Sequence, residues 1–332
     1  DHFIKRFNYN YFRFKVLTMA KYKIEKVDSE ELWDAFVESS PQGTIYHKSI
    51  FLNSIEVNRS IYFVKKGDVK VAGTCVLEKH EGEVLSIPYV PYLNGILFSD
   101  SSIMLNNKVV SEQFKVAELL INEVFSQYER FFNLNCWSFT DVRPFSWYNY
   151  HQPDQGMFNV NVRYTSVLDK TEIVDYLSKI RSSRRQELKK AHDINIQECS
   201  DVEVLDKLHD ETFKRQGIQR SPEEQRVFRQ IAENALNNKF GKLLTAQIDD
   251  EIVSAVLILF DGKTAYYQFG ATTPEFRNSG ASTTTLYEAI LCSFNELGVE
   301  KFDFVGVNSP QRGDFKLSFN GALVPYFQLS LA

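Results

Sequence analysis

One order of elements is written twice along this chain, and that repetition restricts the fold more than any single residue does. In the first half KYKIEKV reads as a strand and Asp28 as the cap of a helix over SEELWDAFVES. SIYFVKK and VKVAGTCVLEK, joined at Gly67-Asp68, predict a hairpin. EVLSIPYV follows as a third strand, residues 111–130 place Phe114, Ala117, Ile121, Val124 and Tyr128 on one helical face, and NLNCWSF supplies a further strand. The second half repeats the order. LLTAQID and EIVSAVLILF meet at Asp249-Asp250, KTAYYQFGA follows Asp261-Gly262, a helix from Gly280 carries Leu286, Ala289, Ile290, Phe294 and Leu297 on one stripe, and KFDFVGV closes the unit. A duplicated α/β unit leaves this pattern, so the expected architecture is α/β, two tandem domains with mixed sheets flanked by helices.

The division is expected at 19–165 and 166–332, with the terminal ALVPYFQLSLA pairing either in its own domain or in the first. Ahead of the second hairpin lie three helical stretches. The first is TEIVDYLSKIRSSRRQELKKAHD; after a short strand, INIQEC, comes DVEVLDKLHDETFKRQG, capped by Ser200 or Asp201; the third is SPEEQRVFRQIAENALNN, opened by Ser221-Pro222.

With 332 residues, 43% of them hydrophobic, the chain has material for about two cores. A net charge of -5 speaks against coating nucleic acid or anionic membrane over the whole surface, and leaves room for a local basic patch. No stretch approaches the run of about 18 apolar residues that spans a bilayer. Cys75, Cys136, Cys199 and Cys292 lie scattered in apolar patterns without CxxC spacing, which reads as reduced thiols in a cytoplasmic protein. His47, His151, His192 and His209 lack metal-ligand spacing, so no metal is expected, and no Ser-His-Asp or Cys-His nucleophile signature is present. The opening DHFIKRFNYNYFRFKVLT lacks the apolar segment of a signal peptide. Residues 1–18 therefore read as an extension ahead of Met19 or a loosely held arm, with membrane contact as the alternative.

Three stretches bear on chemistry. In TTPEFRNSGAS, residues 272–282, Gly280 allows a sharp turn, Ser279, Ala281 and Ser282 keep bulk away, and the following amides open a helix N-terminus that favours anions. Arg277 adds a cation that reaches phosphate, although a cap without ligand fits the same residues. In FDFVGVNSPQRGDFKLSFNG, residues 302–321, Lys316 stands alone among Phe315, Leu317 and Phe319. Its bland reading is a surface lysine whose stem covers apolar neighbours. The run KIRSSRRQELKK, residues 179–190, carries six basic residues, a solvated helix face or a contact to the phosphates of tRNA or of a nucleotide-linked acceptor.

These stretches, with IRSSRRQELKKAHDINIQE and ETFKRQGIQRSPEE, resemble the FemAB-like branch of the GNAT acyltransferase superfamily, in which two GNAT-type domains are fused. The resemblance runs from about residue 20 to the end. It implies that Arg277, Gly280 and Ser282 fall on the pyrophosphate-loop pattern Arg/Gln-x-x-Gly-x-Gly/Ala, with Ser282 in place of the last small residue. It implies that Lys316, after Phe315, stabilises the transition state, that Arg220 holds the acceptor's phosphates or carboxylates, and that an aromatic on the third strand, Tyr266 or Tyr267, meets the acceptor. Strand alternation lets only one of these two tyrosines do so. The sequence departs from the pattern at Glu224, where a tyrosine is common, at Ile55, Glu56 and Val57, where a lysine is expected, and in lacking a long helical arm.

The implied activity is transfer of an acyl or aminoacyl group to an amine of a cell-envelope or sugar-nucleotide acceptor, without a metal. Acyl-CoA is the donor that Arg277 and the Gly280 amides favour. Aminoacyl-tRNA, as in peptidoglycan bridge peptidyltransferases, is the alternative, and a non-catalytic acceptor-binding module on the same fold is the third reading. An acceptor of this kind would bring peripheral membrane contact, and polysaccharide or cell-wall biogenesis is the implied setting.

Overall fold

The structure, a computed structural model, describes residues 21–101, 104–191 and 193–331. The expected extension 1–18 and His192 lie outside these residues.

Strands β1 (Lys23–Val27), β2 (Asn58–Lys66) and β3 (Val69–Glu78) form an antiparallel meander. Helix α1 (Glu30–Ser39) connects β1 to β2. Its cap is Ser29, whose Oγ accepts from the Leu32 amide at 3.2 Å; Asp28 does not fill that place. Trp33 and Phe36 of α1 pack on Phe63 of β2 at ring-centroid distances of 6.1 and 5.3 Å.

The expected third strand, EVLSIPYV, forms only a two-residue β4 (Glu83–Val84), and β4 pairs in parallel with a distant strand rather than with the hairpin. Pro88 and Pro91 have no amide to donate, and Tyr89 takes φ +64°, so this segment cannot continue a ladder. The place beside β3 goes to β5 (Leu97–Phe98). Helix α2 (Asn106–Glu123) begins earlier and ends sooner than the 111–130 expectation, burying Val116, Ala117, Leu120 and Ile121 before β6 (Arg130–Leu134).

β7 (Asn159–Asp169) leads into the second half. The first of the three expected helices is broken. A 3₁₀ turn at Lys170–Ile173 and a short helix at Tyr176–Lys179 precede α3 (Ser182–Lys190), with Asp175 left-handed at φ +53° between the turns. Then come β8 (Asn195–Cys199), α4 (Val202–Arg215), capped by Asp201, and α5 (Pro222–Asn237). A capping box closes the start of α5, because Glu224 Oε2 accepts from the Ser221 amide at 2.7 Å while Ser221 Oγ accepts from the Glu224 amide. The glutamate that departs from the family pattern thus has a local structural use.

The hairpin β9 (Gly241–Ile248) and β10 (Glu251–Phe260), then β11 (Thr264–Thr272), helix α6 (Ala281–Asn295), β12 (Lys301–Asp303), helix α7 (Pro310–Leu317) and β13 (Ala322–Leu331) complete the chain. Two sheets result, one of order β1-β2-β3-β5 and one of order β4-β6-β13-β7-β12-β11-β10-β9-β8. The terminal strand returns to the first half, pairing antiparallel with β7 and with β6. β7 itself crosses the 165/166 division, bonded to β13 along one edge and to β12 at Val167, Leu168 and Asp169. One continuous sheet therefore joins the halves, and α4 and α5 pack between them on Phe269, Ala271 and Leu243 in a core shared with Trp33, Phe51 and Tyr92. All four cysteines are free thiols, three of them buried.

Candidate active site

The site begins where two parallel strands part. β11 and β12 pair at Thr264 with Lys301, Ala265 with Phe302 and Tyr266 with Asp303; beyond that rung β11 runs on to Thr272 while the other chain turns away. The turn is made by Val305 and Gly306, at φ +53° and +85°. A β-branched residue in the left-handed region is a real outlier, costing about 1–2 kcal/mol, so the surroundings must hold it. Asp303, fully buried, accepts from the Val305 amide at 2.8 Å, from Thr165 Oγ1 at 2.6 Å and from the Tyr92 hydroxyl at 2.6 Å. The Gly306 amide donates to Thr165 Oγ1 at 2.9 Å. Burial raises the pKa of Asp303, and these three donors work against that shift.

Lys316 completes the clamp from α7. Its Nζ donates to the carbonyls of Phe304 at 2.6 Å and Gly306 at 3.0 Å, with Val305 at 3.4 Å, and stands 5.0 Å from the centre of the Tyr267 ring. The side chain is part-buried, and that burial brings its pKa down to about 8, with Asp303 opposing the shift and Arg312 adding to it. An ammonium has three protons, and here the Phe304 and Gly306 carbonyls of the turn take two of them, with the Val305 carbonyl at a marginal distance. Lys316 reaches the neighbouring space through its charge while its hydrogen bonds hold the strained turn open.

β11 is shaped for the same gap. Against β10, Leu257 faces Phe269 and Ile258 faces Tyr267, so Gln268 is bulged out of register. Gln268 ties the halves together, donating to the Tyr89 carbonyl at 2.8 Å and accepting from the Tyr46 hydroxyl at 2.7 Å. A Cβ at Gly270 would overlap the Tyr267 ring, which lies along the strand at that point. Burial pushes the Tyr267 phenol up to about 12.

The parted strands open a cavity of about 870 Å³. Its walls come from Tyr89, Val90 and Pro91 of the first half, the end of α4, β11 from Tyr267 to Thr272, and the first turns of α6 and α7. Its charged lining is Arg215, Arg277, Arg312 and Lys316, with no carboxylate, in a chain whose net charge is -5.

The sequence-derived candidates fall on both sides of this boundary. Lys316, Tyr267, Arg277 and Ser282 line the cavity. Tyr266 does not: it is 2% exposed, its hydroxyl donates to Asp261 at 2.9 Å, and its ring meets Tyr46 edge-on in the core between the halves. Arg220 does not line it either. Buried on Phe228, its guanidinium donates from Nη2 to Asp206 at 2.7 Å and to Asp210 at 3.1 Å, while Nη1 is buried without a hydrogen-bond partner. Burial works against that cation, yet the two aspartates hold its pKa above the ordinary value.

At the loop before α6, Gly280 has φ +89° and a Cβ there would come to 3.2 Å from the Glu187 carbonyl of α3. The glycine serves the packing of α3 as well as the turn. Ser279 Oγ caps the Ala281 amide at 3.2 Å, and Ala281 is buried, so of the four small residues only Ser282 reaches the cavity.

The basic run is largely engaged. Lys179 pairs with Glu172, Arg181 with Asp314 and Arg184 with Glu187, while Arg185 donates to the carbonyls of Ser178 and Ile180. Residues that sequence reasoning passed over include Arg312, Arg215 and His209, all in the cavity wall. His209 is one of the histidines whose spacing in the sequence fits no metal site. It is 7% exposed, stacked 4.4 Å from Phe228, and burial brings its pKa down to about 4. Arg312 was legible as the residue four before Lys316 on one helix face.

Residues 176–317 match a family model described as an acetyltransferase (GNAT) domain. Among solved structures, the chain is similar over 92% of its length to FemX, of which 96% is covered, at 14% identity and a TM-score of 0.62. The chain has a tandem GNAT-like fold. A conserved protein of unknown function from Bacteroides thetaiotaomicron aligns over 93% of this chain and 100% of its own, at 9% identity and a TM-score of 0.56. A tandem GNAT protein from the clavulanic acid biosynthesis pathway aligns over 93% and 98%, at 9% identity and a TM-score of 0.53. No curated protein sequence matches the chain. The cavity lining from His209 to Lys316 lies inside the span of the family match, while Tyr89, Val90 and Pro91 lie outside it. Among the described residues no helix is long and apolar enough to cross a membrane.

Proposed function

We propose that this protein is an acyltransferase that moves an acyl group from acyl-CoA to an amine on a cell-envelope or sugar-nucleotide acceptor. The observation that carries the proposal is the cavity between the parted strands, lined by four cations and no acid in an acidic chain. Phosphate-bearing substrates would neutralise that lining. In this reading the donor's phosphates meet Arg277 and the first turn of α6 at Ser282, and its amide-bearing arm runs along the edge of β11 that β12 leaves unpaired after Tyr266.

The chemistry asks little else of the chain. The acceptor amine attacks the thioester carbonyl, the new C–N bond forms as the C–S bond breaks, and the proton leaving nitrogen balances the thiolate. The developing oxyanion lies in the field of Lys316, whose charge is strong at short range because it is poorly solvated. The Tyr267 phenol, held protonated by its raised pKa, stands beside it as a proton donor for the leaving sulfur.

Aminoacyl-tRNA is the weaker donor reading, because the basic run 179–190 that would track its phosphates spends Lys179, Arg181, Arg184 and Arg185 on internal partners. Calorimetric titration with acetyl-CoA and with a charged tRNA separates the readings. Acetyl-CoA binding that weakens about tenfold in Arg277→Ala, the loss of one charge-assisted contact, is the expected result. Tight binding of charged tRNA alone would replace the donor. Binding of neither, with retention of an acceptor, would make the chain a recognition module without activity.

A further inference from the structure

The gap between β11 and β12 has two sides, and the first half of the chain holds each of them by a buried tyrosine hydroxyl. On the β12 side the Tyr92 hydroxyl donates to Asp303 at 2.6 Å, and Asp303 accepts from the Val305 amide of the turn whose carbonyls take the Lys316 ammonium. On the β11 side the Tyr46 hydroxyl donates to Gln268 at 2.7 Å, at the bulge just beyond the last rung, Tyr266 with Asp303. Both tyrosines are 1% exposed. Their rings meet edge-on at 5.8 Å, which joins the two grips into one unit. Filling a core asks only for the ring, whereas a buried hydroxyl is costly unless it is bonded, so the direction of these two hydroxyls is informative. Burial and the nearby Asp303 carboxylate hold both phenols well above their ordinary pKa, so both remain donors. Tyr46, Tyr92 and Asp303 stand behind the cavity wall rather than in it, and act on it through Gln268 and Val305, which line it.

A buried polar network in the first half keeps these tyrosines in place. The segment around Tyr92 is irregular, yet Leu93 exchanges two backbone hydrogen bonds with Leu134 of β6, at 3.0 and 2.9 Å. Asn94, left-handed at φ +57°, accepts from the Leu77 amide of β3 at 2.8 Å and donates to the Phe132 carbonyl of β6 at 2.9 Å. Asn133, fully buried, donates to the Asn94 carbonyl at 2.6 Å. Next to Tyr46, Trp33 Nε1 donates to the His47 carbonyl at 2.6 Å, and the Tyr46 ring meets Phe51 edge-on at 5.0 Å. Satisfied networks of this kind fix one position of the chain. Tyr89, on the same segment as Tyr92, accepts from Gln268 Nε2 through its carbonyl at 2.8 Å, so the first half holds both ends of that amide.

We infer that Tyr46 and Tyr92 are positioning residues by which the first half sets the separation of β11 and β12, and with it the place of the Lys316 ammonium relative to a donor held in the gap. The grip on the two strands is independent of what binds there, and its consequence for the donor rests on the acyl-CoA reading above.

The test replaces each tyrosine by phenylalanine, which keeps the ring, singly and together. Tyr22→Phe is the control, because it loses a hydroxyl bonded to Glu112 at 2.9 Å inside the first half. Two quantities are read. One is coenzyme A affinity by calorimetry; the other is the rate at which trace acetic anhydride labels Lys316, measured by peptide mass spectrometry relative to Lys207 on the exposed side of α4. Labelling of Lys316 is expected to rise about fivefold in Tyr92→Phe, the size of one hydrogen bond, and to stay at the parent rate in Tyr22→Phe. Coenzyme A is expected to bind about fivefold more weakly to Tyr46→Phe and to Tyr92→Phe, with little further loss in the double variant, because freeing one side already frees the separation. Four results overturn the inference: Lys316 labelling that stays at the parent rate in Tyr92→Phe, coenzyme A binding that both single variants leave unchanged, losses that multiply in the double variant, or equal effects in Tyr22→Phe. A parent protein that does not bind coenzyme A removes the donor reading alone. Faster labelling of Lys316 in Tyr92→Phe then still upholds the hold of the first half on the turn, and unchanged labelling overturns it.

Discussion

Replacing Lys316 by methionine keeps most of the stem and removes the charge, and so isolates what the ammonium contributes. Two of its hydrogen bonds, at 2.6 and 3.0 Å, are short enough to count, whereas the third at 3.4 Å is marginal. A hydrogen bond from a charged group contributes about 1.5–3 kcal/mol, so the pair sums to roughly 3–6 kcal/mol. Methionine recovers part of this by removing a poorly solvated charge, which leaves a net loss of about 3 kcal/mol. Urea unfolding of Lys316→Met, compared with Lys207→Met on the exposed side of α4, measures the difference. The exposed control is expected within about 0.5 kcal/mol of the parent. If Lys316→Met also falls within that margin, the ammonium is not holding the Val305–Gly306 turn and the clamp is refuted.

Other consequences follow from the same geometry. Arg220→Met removes the buried cation between Asp206 and Asp210, which keep Arg229 and Lys214 as partners, and is expected to destabilise by about 2–3 kcal/mol; a thermal or urea measurement showing less than about 1 kcal/mol would mean that Arg220 is not held by these carboxylates. Gly280→Ala must adopt φ +89° against the Glu187 carbonyl, so it should cost about 1–3 kcal/mol in urea unfolding, and an unchanged midpoint would show that α3 moves freely from α6. His47 and His209, both brought down to about 4 by burial, bind fewer protons folded than unfolded. Their contribution is complete above the ordinary value of 6.5 and is lost as pH falls from there toward 4. Urea midpoints should therefore drop between pH 7 and pH 4.5, and less steeply in His47→Gln or His209→Gln; equal slopes would contradict the burial of these rings.

The duplicated order of elements was legible because it rests on local periodicity, which hairpin turns and amphipathic helices print directly into the chain. What failed was non-local. EVLSIPYV has the composition of a strand, yet its place beside β3 goes to Leu97–Phe98, two residues that no periodicity can mark. The return of β13 to β6 and β7 depends on partners more than 150 positions earlier, so the sequence left it open. The same limit applies to the site. Lys316 was visible as a lone cation among aromatics, but its partners are backbone carbonyls, which carry no sequence signal. Arg220 was visible as a charge, whereas Asp206 and Asp210, one helical turn apart on α4, became its partners only through the path between α4 and α5. Tyr266 and Tyr267 were separable in principle by strand alternation, and the fold assigns the first to the core and the second to the cavity.

A crystal structure of the protein with coenzyme A would test the placement of the donor most directly. The account predicts phosphates within hydrogen-bonding reach of Arg277 and of the amide or hydroxyl of Ser282, with the arm lying between residues 268–272 and Val305. Coenzyme A bound outside that gap, or excluded from it at saturating concentration, would contradict it.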